Sequence, residues 1–156
     1  MVPKITPKFS EADIKAYILK RKAGMENAIF MALQKVGENY VTNARNRGEY
    51  TDRSDNLRSS VGYGIYKDGV LVWTITGDAK KATKEGTEAA QRLIAKIKGE
   101  LLAKYDKGFV LVVVAGMSYA AAVEAKGFDV ITGSGLIAIT ELKKSLKRIE
   151  KKLSKM

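Results

Sequence analysis

The chain has 156 residues, 46% of them hydrophobic, which is the size of one domain and enough to bury a sizeable core. Lys and Arg number 28 against 17 Asp and Glu, a net charge of +11, so the molecule either attracts polyanions and acidic proteins or presents a solvated basic exterior. Cysteine and histidine are both absent, which excludes disulfides, thiolate metal sites and cysteine nucleophiles and removes the commonest ligands of zinc, copper and haem.

Pro3 and Pro7 bias their neighbours toward extended backbone, so residues 1–9 are expected to form an arm ahead of a single domain over 10–156. That opening segment lacks the apolar run of a signal peptide. No stretch approaches the roughly 20 apolar residues that span a bilayer, so a soluble protein is expected. At Ser10-Glu11-Ala12-Asp13 a hydroxyl can cap free amides while the carboxylate favours the positive helix end, which predicts a helix start. Ile14, Ile18, Met25, Ile29, Val36 and Tyr40 then follow an eleven-residue repeat, predicting a long helix with one buried face. Gly24 and Gly37 interrupt it, marking either close packing or a bend, and Gly48 suits its C-terminus.

From Leu57 the period becomes two. Leu57, Ser59, Val61, Tyr63 and Ile65 are expected on one face of a strand, Asp68-Gly69 makes a hairpin turn, and Val70–Ile75 returns. Leu93, Ile94, Ile97, Leu101 and Tyr105 predict a second amphipathic helix within 78–105. Phe109–Ala115 is apolar at every position and is expected to be the central strand, covered on both faces. Residues 116–127 are ambiguous between helix and strand, and Phe128–Ile131 reads as a short strand. After the turn Thr132–Gly135, Ile139, Leu142, Leu146, Ile149 and Leu153 mark the seam of a last helix rich in lysine. The fold class is α+β: a long helix, a hairpin plus central strand in a small mixed or antiparallel sheet, an intervening helix and a basic amphipathic C-terminal helix.

Chemistry is sparse in this pattern. Glu49, Asp52 and Asp55 could hold Mg²⁺, but Asp and Asn in such loops ordinarily bond to nearby backbone, and turn and cap roles are favoured. There is no phosphate-binding G-x-x-x-x-G-K loop. Neither an enzyme, a metal nor a cofactor is expected. Tyr63, Tyr66 and Trp73 could stack bases or pack across the hairpin, and packing is favoured. The last helix has neither Trp nor Phe to anchor a membrane, so packing through its seam is favoured over a membrane or nucleic acid.

Two segments carry a resemblance. Asp52-Arg53-Ser54-Asp55-Asn56-Leu57-Arg58-Ser59-Ser60-Val61 is similar to a loop of the form D-x-T-G-N-L-R-x-S-I, and Tyr119-Ala120-Ala121-Ala122-Val123-Glu124-Ala125-Lys126-Gly127 to Y-A-x-Y-V-E-x-G. With the long helix before them, they resemble the neck and tail-completion family of long-tailed bacteriophages, over roughly Ile14 to Ile149. Asp55 stands where that family has glycine, Ala122 replaces its second tyrosine, and the helix within 78–105 looks like an insertion. The resemblance implies a ring-forming subunit of the head–tail connector, located in the virion and made in the host bacterial cytoplasm. Its partners would be further copies and neighbouring connector and tail proteins, with non-specific contact to DNA in the lumen and none to membrane. Asn56, Leu57, Arg58, Tyr119, Glu124, Leu142, Leu146 and Ile149 are the assembly candidates. The rival reading is a basic nucleic-acid-binding protein of a phage or mobile element.

Overall fold

The computed structural model describes residues 8–48, 50–77, 81–102 and 104–155. Helix α1 (Glu11–Arg47) opens as its sequence predicts: Ser10 Oγ accepts from the Asp13 amide at 3.2 Å, and the Asp13 carboxylate accepts from the Ser10 amide at 2.8 Å. These reciprocal bonds satisfy donors that a helix start leaves without partners. The expected arm over 1–9 lies outside the described residues except for Lys8 and Phe9, both exposed. A single turn of helix, α2 (Asn56–Ser59), precedes the antiparallel hairpin β1 (Val61–Lys67) and β2 (Val70–Thr76). Asp68 and Gly69 hold φ of 48° and 76°, so both turn residues are left-handed, as a tight hairpin with right-twisted strands requires. Then come α3 (Lys84–Leu102), β3 (Phe109–Ala115), α4 (Ala120–Ala125) and α5 (Thr132–Leu153).

The sheet has the order β2-β1-β3, and both pairings are antiparallel. The strand expected at its centre, Phe109–Ala115, is an edge, and β1 is central. The apolar run of β3 reports what it does feel, which is cover on both faces: Leu111 and Val113 pack toward α1, and Val112 and Val114 toward α3. Cover on a face and position across the sheet are separate properties. β1 conceals its central place because Gly62 and Gly64 lie on its α3 face. A Cβ at Gly64 would stand 3.0 Å from Ile94 Cγ2, so glycine lets α3 settle closely on the strand.

Other expectations are corrected. Leu57 and Ser59 belong to α2, not to the strand, which starts at Val61. Phe128–Ile131 forms no strand, Gly116–Lys126 contains the short helix α4, and Thr132–Gly135 is the first turn of α5. Tyr105 lies beyond the end of α3.

The main core joins α1 to one face of the sheet through Leu33, Val36, Tyr40, Val61, Tyr63 and Ile65. Gly37 is the point of closest approach, since a Cβ there would sit 2.5 Å from the Tyr63 ring; close packing, not a bend, accounts for it. Helix α5 returns along α1, with Asn39 Nδ2 donating to Glu141 Oε2 at 3.0 Å. The expectation of one buried stripe along all of α1 holds only from Ile29 onward. Every residue from Glu11 to Lys20 is exposed, including Ile14 and Ile18, and Met25 is exposed as well.

Candidate assembly site

Residues 50–60 form a braced corner between α1 and the sheet. Asp55 has φ 57° and ψ 7°, the left-handed conformation that favours glycine, and it stands where the resembled loop has glycine. Asp52 Oδ2 accepts from the Arg58 amide at 2.8 Å, closing the loop on itself. Two arginines then brace each other's segments. The Arg58 guanidinium donates to the carbonyls of Arg45 (3.1 Å) and Gly48 (3.2 Å), and the Arg45 guanidinium donates to Arg58 O (3.2 Å), Val61 O (2.9 Å) and Gly77 O. Gly48 has φ −59°, so α1 is not ended by a left-handed glycine; the arginine fork satisfies its last carbonyls instead. Arg58 also lies 5.5 Å over the Tyr50 ring. Burial pushes the Tyr50 hydroxyl above the ordinary phenol value, while the nearby Arg58 charge opposes the shift.

The second segment folds against the first. Leu57 (2% exposed), Tyr50, Ala120 and Val130 make one buried cluster. Ser60 links the two segments: its carbonyl accepts from Gly116 N at 3.0 Å and its Oγ from Met117 N at 3.3 Å. Tyr119 hydrogen-bonds Ser54; burial raises its hydroxyl above the usual value, and the Asp52 charge adds to that shift. Glu124 caps α5, with Oε1 accepting from the amides of Ile131 (2.9 Å) and Thr132 (2.8 Å). Burial works against its charged form, but these amides outweigh burial and hold Glu124 below the usual carboxylate range.

Asn56 Nδ2 donates to Glu85 Oε2 at 2.6 Å, which ties the corner to α3. Asn56, Leu57, Arg58 and Glu124 therefore each hold a place within the fold, and Tyr119 is half out of it. Of the seam candidates, Leu142 packs on the main core and Ile149 is half-buried. Leu146 is 40% exposed and Ile139 52%, because α5 meets the α1 core through Ala138 and Leu142. The spacing of three and four placed all these residues on one stripe; it did not say that the contact lies on the small-residue side of it.

Two features escaped the sequence reading. Arg45 reads from sequence as an ordinary base in the last turn of a helix, and nothing local announces its reach across to Gly77. The outer edge of β2 had a legible signal: its seven residues carry no charge and no proline, and Val70, Leu71, Val72 and Trp73 are all exposed. The hairpin tyrosines do not reach solvent. Tyr63 and Tyr66 are buried, and the Tyr66 hydroxyl donates to Ile94 O at 2.7 Å. Trp73 donates to the Tyr63 hydroxyl at 3.2 Å and meets Phe30 edge to face at 6.4 Å. Asp52 and Asp55 serve the loop as described, Glu49 lies outside the described residues, and no group of three potential metal ligands occurs among the described residues.

Together the fold and the corner define an α+β protein in which a three-stranded antiparallel sheet lies between a long helix and a shorter one. Among the described residues no helix is long and apolar enough to cross a membrane. Compared with known proteins, the chain matches no family model, no curated protein and no solved structure.

Proposed function

We propose that this chain is a structural subunit of the head–tail junction of a long-tailed bacteriophage, acting in the neck or in tail completion and assembling as a ring in the virion. No residue performs chemistry in this role and no cofactor is needed. The observation that carries the reading is the outer edge of β2, where four exposed apolar side chains flank an open strand without a charge or a proline. Such an edge invites pairing with another chain, and proteins that remain monomeric usually guard it with lysine or proline; the irregularity in β2 falls at Val72, which the register Ile65–Trp73 and Tyr66–Leu71 leaves without a partner on β1. The opposite edge, β3, is equally uncharged. Two unlike edges at opposite ends of one sheet suit a head-to-tail contact, the kind that closes into rings. The left-handed Asp55 at the glycine position, and the packing of the two resembled segments on each other, support the family likeness.

Native mass measurement and particle imaging test the reading, with Val72→Lys as the probe of the edge. The wild-type protein should form a ring alone or on meeting connector or tail components, and the lysine variant should fold but fail to assemble. A monomer that also fails to join those components removes the reading. A nucleic-acid-binding role is the alternative, favoured by the exposed Lys143, Lys144, Lys147 and Lys151 on α5, which have no acidic partner among the described residues.

A further inference from the structure

Between α1 and the C-terminal half of α5 runs an open groove of about 820 Å³. Its floor is apolar, made by Tyr17, Met25, Ala28, Met31, Ile149 and Leu153. Met31 is 58% exposed there although it lies in the middle of a helix, and Met25, the one residue of the expected buried stripe that lines the groove, is 37% exposed. Along the walls stand five cations, Lys20, Arg21, Lys35, Arg148 and Lys152, and no carboxylate lines the groove. The salt bridges among the described residues are Lys22–Glu26, Lys67–Glu26, Lys84–Glu88 and Arg92–Glu88, so none of the five is paired. Tyr17 to Lys35 spans about 27 Å of helix at 1.5 Å per residue, the length of an 18-residue helix laid alongside.

We propose that this groove seats an acidic amphipathic helix of another protein. Apolar anchors at three- and four-residue spacing fill the floor, and flanking carboxylates meet the five bases, the helix-in-groove mode of recognition. Charge decides against a second copy as occupant. Each long helix of this chain, α1, α3 and α5, carries more Lys and Arg than Asp and Glu, so none can neutralise the groove. The inference does not depend on the ring reading, because it concerns a different surface from the sheet edges.

The test uses a labelled 18-residue helical peptide with leucine at every third and fourth position and glutamate elsewhere, titrated with the full chain by fluorescence anisotropy. It should bind saturably with one-to-one stoichiometry. A peptide with every glutamate replaced by lysine should not bind. Met25→Gln/Met31→Gln, two exposed positions that leave the core intact, should weaken binding at least about tenfold, equivalent to 1.4 kcal/mol. Lys20→Glu/Lys35→Glu/Arg148→Glu leaves two cations against three carboxylates in the groove and should exchange the preference to the lysine peptide, an outcome that a merely misfolded variant cannot give. Equal binding of the two peptides, or no effect of the methionine substitutions, overturns the proposal. So does displacement of the peptide by phosphatidylglycerol vesicles or by a 20-base-pair duplex at lower concentration than an unlabelled copy, which would assign the groove to a membrane or to DNA.

Discussion

Leu57 and Arg58 are adjacent and act on stability by different means. Leu57 fills the small cluster under the corner, and its truncation to alanine should cost about 2 to 5 kcal/mol through lost burial and the cavity left behind. Arg58 would pass from sequence for an exposed loop residue of little consequence. Its fork on two carbonyls and its stacking on Tyr50 raise the expected cost of Arg58→Ala to about 1 to 2 kcal/mol, above the usual surface value. Thermal melts should therefore order the variants as wild type, Arg58→Ala, Leu57→Ala, and Arg58→Lys should not restore the loss because one ammonium cannot match the fork. If Arg58→Ala melts with the wild type, the fork contributes nothing in solution. Glu124 carries a pH signature. Its folded pKa lies below the ordinary 4.5, so its contribution is present above that value and is lost as pH falls through the lower folded one. Glu124→Gln should lower the melting temperature at pH 7, and the gap should close as pH drops well below 4.5. A gap that persists at pH 2 would mean that packing, not charge, is what Glu124 supplies.

At the scale of the element, α5 presents two apolar sides with separate uses. Leu142 faces the main core and Leu146 faces solvent. A carboxylate at Leu146 is therefore hydrated, and Leu146→Asp should change stability by no more than about 1 kcal/mol, whereas Leu142→Asp should cost several. Chemical denaturation distinguishes the two; equal losses would show that α5 is rotated about its axis relative to α1. Helix α1 has the same divided character along its length. From Ile29 to Ala44 the sheet supplies its partner, whereas Glu11 to Lys20 stays exposed and the C-terminal half of α5 only borders the groove beside it. A helix this long keeps its exposed half because a capping box closes its start and propagation is cheap once a helix is nucleated.

For the whole molecule, net charge is the property that reaches furthest from the surface. Subunit association through apolar strand edges should be insensitive to salt or strengthened by it, while DNA affinity should fall linearly on a log–log plot. Replacing Lys143, Lys147 and Lys151 by glutamine should reduce the magnitude of that slope by about 2 to 3 if all three contact phosphates. The same variant should assemble normally. Loss of assembly in the glutamine variant with no change in the salt slope would mean that the lysines serve protein contacts.

Local physics made several elements legible from sequence alone. The Ser10 capping box, the Asp68-Gly69 turn and the periodicity of α1, α3 and α5 depend on residues a few positions apart, so the chain itself states them. Asp55, where the resembled loop has glycine, was likewise readable as a left-handed site. Which strand lies at the centre was not readable, because burial of β1 is shared with glycines that let α3 approach and leave no apolar mark of their own. Nor was the reciprocal brace of Arg45 and Arg58, which joins segments that only the folded corner brings together. The period of a helix says which residues share a face; only the packing of α1 against a sheet and a returning helix shorter than itself decides which part of that face remains open. Sequence thus determined the elements and the basic charge, whose causes are local or additive. Tertiary structure decided the strand order, the open β2 edge and the groove beside α5, because each depends on what the rest of the fold does or does not cover.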